Sequence, residues 1–273
     1  RKLSDGIRAE ELNILIGSDA VDDEEVKEAV KLNTMILLNE KYGITEKDFA
    51  RAEIEIVPAY KSRDVGFDRS MIGAYGHDDR VCAYPILMAE IDEKSPEYTS
   101  VTILADKEET GSNGPTGMNS YFLKDFIEDL ADMAGCKVRH VAANSHCFSA
   151  DVNAAFDPIY GEVHERRNAS YINYGVVVTK YTGARGKAGT NDATAEMMGF
   201  ARRILDAEHV GWQTGELGKV DQGGGGTVAM YVSQHNIDTV DLGVPVLSMH
   251  APFEVVAKAD VYMTYRAMRA FYK

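Results

Sequence analysis

No stretch of this sequence stays apolar for the roughly 20 residues a membrane-spanning helix needs, so no transmembrane segment is expected. Basic residues are in short supply. Lys and Arg number 29 against 43 Asp and Glu, a formal charge of −14 that works against binding a polyphosphate chain. Cysteine is scarce: Cys82, Cys136 and Cys147 are odd in number and lack CxxC spacing. That excludes a disulfide framework and predicts buried thiols in a reducing compartment. Seven prolines and no Ser/Gly linker leave only a compact crossing, near Arg63–Gly73, for a domain boundary. Arg1–Glu11 is charged rather than basic-then-apolar, unlike a secretory leader. Internal repeats and low-complexity tracts are absent. These absences leave a cytoplasmic globular protein, and 273 residues are enough for a full core.

Two textures follow one another along the chain. In the first 70 residues, apolar positions at helical spacing predict a helix from Glu24 to about Lys41, stopped by Gly43. Thr45-Glu46-Lys47-Asp48 resembles a capping box for a second short helix. Ala52–Val57 alternates apolar and acidic residues, the pattern of a half-exposed strand. From Met71 onward, short apolar runs at Val101–Ala105, Gly175–Thr179 and Val244–Met249 read as strands buried on both faces. Helical stretches separate them: Val81–Ile91, Met118–Ala134, Ala193–Ala207 and Phe253–Tyr272. Strands alternating with helices predict an α/β fold, a mostly parallel central sheet flanked by helices.

Acidic residues collect at the junctions. Asp106-Lys107-Glu108-Glu109-Thr110-Gly111-Ser112 follows a predicted strand, and strand carboxyl ends in open α/β sheets face the ligand crevice. Adjacent glutamates can divide labour, one holding a metal and the other taking a proton from water; they can equally form a solvated acidic turn. Asp78 and Asp79 stand before a helix, where acids also serve as caps or dipole partners. Asp151 follows small residues and reads equally as a turn. His250 ends an apolar run, a place where a histidine is often simply hydrogen-bonded structure. Together, carboxylates and one imidazole suit a divalent ion, with zinc, manganese and cobalt all compatible. Asp221-Gln222-Gly223-Gly224-Gly225-Gly226-Thr227 precedes a short helix at Val228–Gln234. A glycine loop there can cradle an anion. It lacks the Lys-Ser/Thr of a P-loop and the spacing of a dinucleotide fingerprint, so a tight turn is the plainer reading.

Gly76-His77-Asp78-Asp79-Arg80, the Asp106–Ser112 run, Ser149-Ala150-Asp151-Val152-Asn153 and Ser248-Met249-His250-Ala251-Pro252-Phe253-Glu254 occur in this order. On these motifs the whole chain resembles the aspartyl aminopeptidase and aminopeptidase I family of dinuclear zinc exopeptidases. The resemblance implies that residues 1–69 are the end of an inserted, β-containing assembly domain. Residues 70–273 would form the larger, C-terminal part of a catalytic domain. It implies that Asp78 bridges two divalent ions, with zinc expected. Glu109, Asp151 and His250 would be further ligands and Glu108 the general base. Lys180, Asp221 and Gly225 would line the substrate site. It implies peptide substrates, self-association into a large homo-oligomer of dodecamer type, and a strained or cis Asp78–Asp79 peptide.

Two departures from the family pattern matter. No His-x-Asp motif supplies the family's first ligand, so four of five protein ligands are expected here and the amino-terminal part of the catalytic domain is not. His77, beside Asp78, does not match that ligand. Acid-preferring relatives carry histidines where this chain has Asn153–Asp157, which implies a neutral or broad preference. Two other readings stay open: a non-catalytic subunit of a cage-like assembly, and a related metallo-deacylase.

Overall fold

A computed structural model describes residues 6, 9–185 and 188–273. Contacts divide the chain into two units, Arg1–Val57 and Pro58–Lys273. The resemblance-based boundary at residue 69 falls inside a hairpin of the second unit, between β1 (Arg63–Val65) and β2 (Met71–Ala74).

The first unit holds α1 (Ala29–Tyr42) and α2 (Glu46–Phe49). Helix α1 starts five residues later than its apolar spacing predicts. The Asp23 carboxylate accepts the Glu25 N–H at 2.9 Å and holds the preceding residues in a turn. It ends as expected, at Gly43 in the left-handed conformation (φ 71°). The capping box forms too: the Thr45 N–H and hydroxyl both donate to the Asp48 carboxylate, at 3.0 and 2.6 Å. Neither helix buries a residue, and Leu12, Leu15, Ile16 and Leu37 stand exposed. The predicted strand at Ala52–Val57 does not form. Alternation specifies a strand only when another edge supplies hydrogen-bond partners, and none lies beside it among the described residues.

The second unit is α/β with two mixed sheets flanked by helices. One sheet runs β1-β2-β9-β8-β4, with β4 at Asn153–Ala154, β8 at Pro245–Leu247 and β9 at Glu254–Ala257. The other runs β3-β7-β5-β6, with β3 at His146–Ser149, β5 at Val176–Thr179, β6 at Trp212–Thr214 and β7 at Asp238–Gly243. Three of the seven described pairings are parallel and four antiparallel, so the sheets are more mixed than the sequence suggests. Of the predicted run Val244–Met249 only Pro245–Leu247 forms a strand, β8. The preceding strand β7 belongs to the other sheet, and the chain crosses between the two at Gly243-Val244.

The helices are α3 (His77–Asp92), α4 (Phe122–Met133), α5 (Val138–Ala143), α6 (Ala195–Ala207), α7 (Ala229–Ser233) and α8 (Lys258–Tyr272). Helix α8 starts later than predicted because Glu254–Ala257 pairs as β9 between β2 and β8. The main core sets Val176, Val178, Val240 and Leu242 of the sheet against Met197 and Leu205 of α6 and Met268 of α8. All of these are almost fully buried. At about 25 cal/mol per Å² of apolar surface, burying side chains of this size contributes roughly 1.5–3 kcal/mol each. Thr194 caps α6, its hydroxyl accepting the Met197 N–H at 3.0 Å. Buried Asp260, in the first turn of α8, accepts the N–H groups of Asn173 and Gly175 at 2.7 and 2.8 Å and anchors the loop that feeds β5.

Val101–Ala105 is not a strand. Only an isolated bridge, Asp106 to Gly117, follows it, and Val101 and Leu104 are exposed. The reason is the same as at Ala52–Val57: a β-branched run needs a neighbouring edge, and among the described residues none is beside it. Of the thiols expected to be buried, Cys82 is, with its sulfur accepting the Val244 N–H at 3.4 Å, whereas Cys136 is exposed.

Candidate metal centre

Residues far apart in sequence converge beside the ends of β2, β3 and β8. Asp78 lies in the first turn of α3, where its backbone (φ −80°, ψ 101°) breaks the helix, and the Asp78–Asp79 peptide is cis. Glu108 and Glu109 sit in a 3-10 turn, entered through Lys107 at φ 63° and left through Gly111 at φ 95°. Asp151 follows β3. His250 follows β8 in a turn with two left-handed non-glycine residues, Ser248 (φ 59°) and His250 (φ 64°).

Ligand atoms of Asp78, Glu109 and His250 all lie within 4.8 Å of one another. The His250 Nε2 is 2.9 Å from Asp78 Oδ2 and 3.3 Å from Glu109 Oε2. Asp78 is the enclosed member, its side chain 6% exposed against 64% for His250. Asp79, Glu108 and Asp151 crowd the same place. Burial first, then the charge of Glu109, pushes Asp78 up to about 8. Burial and Glu108 push Asp79 up to about 7. Burial and Glu109 raise Glu108. Burial and the charges of Asp79, Glu108 and Asp78 hold Asp151 well above the usual carboxylate range. So many carboxylates facing inward disfavour their own ionisation, and a cation between them reverses that preference. The Asp79 Oδ1 is buried with no hydrogen-bond partner. Carboxylates with one imidazole are a donor set that suits zinc. The residues present therefore fit the ion.

Other sequence candidates fall elsewhere. His77 is buried and its Nε2 is 3.1 Å from the Ile72 carbonyl oxygen, a structural contact. Lys180, at the end of β5, pairs with Asp192. Asp221 lies exposed in a turn. Gly225 has room for a side chain, whereas at Gly224 (φ 89°) a β-carbon would sit 1.8 Å from the Gly183 carbonyl oxygen. The loop needs glycine at 224 rather than 225. Gly224 lines a small cleft with Thr179, Tyr181, Gly183 and Leu217. Asp157 spends its carboxylate on the Ile159 N–H at 2.8 Å, capping a turn.

Three acids of the cluster's surroundings are not assigned to the metal or to catalysis by the sequence reading. Asp79 and Glu254 stand inside quoted motifs. Asp241, in β7, had no local signal. It is buried and held at about 7, accepting the Thr227 hydroxyl at 2.5 Å while its other oxygen has no partner.

The family profile described as "Aminopeptidase I zinc metalloprotease (M18)" matches residues 5–272. A probable M18 family aminopeptidase 1 of Clostridium acetobutylicum is 51% identical over 275 residues, covering 99% of this chain and 59% of the relative. The crystal structure of an M18 family aminopeptidase from Thermotoga maritima superposes with a TM-score of 0.94 at 46% identity, covering 100% of this chain and 61% of that one. The S. cerevisiae mApe1 dodecamer shares the fold, with a TM-score of 0.67 at 22% identity over 79% of this chain and 48% of that one. The chain thus spans about three fifths of the length of the curated relatives it matches.

Proposed function

The chain belongs to the aminopeptidase I (M18) zinc metalloprotease family, and from that premise we propose that it acts as a zinc-dependent aminopeptidase on peptides. The convergence of Asp78, Glu109 and His250 carries the reading. In it, Asp78, Glu109, His250 and Asp151 would hold the zinc, with Asp78 the carboxylate that two ions would share. Bound zinc supplies Lewis-acid polarisation of a carbonyl and makes nearby water more acidic.

The chain's own residues do the rest. Glu108 adjoins a ligand but is outside the triad, and burial beside Glu109 raises its proton affinity, in the direction a general base needs. It accepts a proton from the attacking water and returns it to the departing amine. A substrate's free α-amino group sits against the acidic cluster, which selects for chain ends. Lys180, Asp221 and Gly225 remain the substrate contacts of this reading, with Lys180 exchanging Asp192 for a substrate oxygen.

Residues 1–69 are read as part of an assembly domain. Helices with no buried residue and exposed Leu12, Leu15 and Ile16 support a self-association surface in a large homo-oligomer of dodecamer type. Three cysteines without a disulfide fit a reducing, cytoplasmic setting. No helix among the described residues is long and apolar enough to cross a membrane.

The test compares peptides with free and N-acetylated amino termini in the presence of zinc. Free-amine peptides are expected to be cleaved, and Glu108→Gln to abolish cleavage while keeping zinc. Preference for acetylated substrates would favour a deacylase, and zinc-free intact assemblies a structural subunit. Turnover retained by Glu108→Gln would remove the general-base assignment.

A further inference from the structure

Glu254 has no part in the chemistry above, yet it touches two of the three converging residues. It opens β9, is 2% exposed and pairs in register with Ala74 of β2. Its Oε2 accepts the backbone N–H of Asp78 at 3.0 Å, across 176 residues of sequence. Its Oε1 accepts the backbone N–H of His250 at 2.8 Å. One carboxylate thus holds the main chain of two residues whose side chains stand 2.9 Å apart.

Neither segment holds that geometry unaided. Asp78 departs from helical φ/ψ inside α3, and its N–H goes to Glu254. The His250 turn carries two left-handed non-glycine residues, conformations that persist only when the surroundings enforce them. Glu254 is suited to enforce both. An ionised carboxylate only accepts, so each oxygen takes one N–H, and hydrogen bonds to a charged acceptor are among the stronger kinds. Its own backbone is fixed by pairing to β2 on one side, while β8 pairs with β9 on the other.

We propose that Glu254 is the positioning residue of the metal centre: by clasping the Asp78 and His250 amides it sets the separation of those two ligands and so the affinity for zinc. The proposal rests on the metal reading above. A merely structural Glu254 would contribute to folding without affecting zinc.

Two variants test it. Glu254→Gln keeps the shape but replaces one acceptor with an NH2 group, which must face a backbone N–H. Glu254→Asp keeps both acceptors on a stem one methylene shorter, too short to reach both amides. Zinc affinity is read by competition with a chromophoric chelator, and amide hydrogen exchange follows peptides spanning 76–80 and 248–252. Both variants are expected to bind zinc about 10- to 100-fold more weakly and to exchange faster in both peptides. Zinc affinity within about twofold of the parent, whatever the exchange, would overturn the proposal, as would unchanged exchange in both peptides. Failure of both variants to fold would assign Glu254 to folding instead and overturn it likewise. A parent chain that binds no zinc would remove the metal reading itself, whereas equal binding by parent and variants removes only the role of Glu254.

Discussion

The substitution Gly243→Ala links packing to the metal centre. Gly243 ends β7 just before the chain crosses to the other sheet, and there it runs against the Asp151 segment. A β-carbon on residue 243 would lie 1.7 Å from the Asp151 carbonyl oxygen, 2.6 Å from its carbonyl carbon and 3.1 Å from the Cys82 sulfur. The obstacle is main chain, not a flexible side chain, and the φ of Gly243 is not in the left-handed range. The cost is therefore steric. Reaching a tolerable 3.0 Å requires the two segments to part by about 1.3 Å. Overpacking of this kind costs about 1–3 kcal/mol, against about 0.4–1 kcal/mol recovered from the stiffer unfolded chain. A net loss of about 1–2 kcal/mol is expected. The two segments share the shift, so Asp151 moves by part of it, whereas metal–ligand distances in a proper site hold to about 0.2 Å. Zinc held by Asp151 should therefore weaken at least about tenfold. Urea unfolding and chelator competition measure the two effects. Gly199→Ala is the internal control: residue 199 lies within α6 with open space around it, so alanine should stabilise by about 0.5–1 kcal/mol. A Gly243→Ala protein with unchanged urea midpoint and zinc affinity would refute the close approach and the placement of Asp151.

Asp78→Ala should lower zinc occupancy at both proposed positions, and metal content by mass spectrometry of the native protein checks it; loss of one ion alone would contradict bridging. The metal-free protein should become less stable as pH rises from about 4 to 8. Asp78, Asp79 and Asp241 are held at about 8, 7 and 7 by burial. In that window the folded state keeps protons the unfolded chain releases, so unfolding becomes easier with rising pH. In chelator, the Tm at pH 8 should lie below that at pH 5.5, and the reverse order would contradict the buried acidic cluster. Asp260→Ala removes the acceptor of two amides and should cost about 2–5 kcal/mol in urea unfolding. Zinc affinity should stay unchanged; a matching loss of zinc would show the β5 loop to be coupled to the metal centre.

The sequence by itself determined the local features. Gly43 stops α1 because left-handed backbone is cheapest for glycine. Thr45 and Asp48 bond each other because their spacing is one helical turn. The β-branched run at 176–178 is fully buried because each of its side chains is apolar. The motifs also named Asp78, Glu108, Glu109, Asp151 and His250, and all of them gather in one place. One route to them does not hold, however. Glu108 and Glu109 are presented by a left-handed entry at Lys107 into a 3-10 turn, not by the end of a strand at Val101–Ala105.

What only the tertiary structure decided is whatever depends on a partner distant in sequence. The identical reading of Val101–Ala105 and Gly175–Thr179 parted because strands are completed by neighbours, and only the second run has them. Glycine was required at 224 and 243 because distant carbonyls approach there. Asp241 reads as an ordinary acid until the fold closes around it. Glu254 closes a quoted motif, but its two bonds form only when β9 inserts between β2 and β8 and brings the Asp78 and His250 turns to opposite oxygens of one carboxylate. Periodicity and capping act over a few residues and can be read along the chain. Strand completion, close backbone approach and carboxylate crowding act through space.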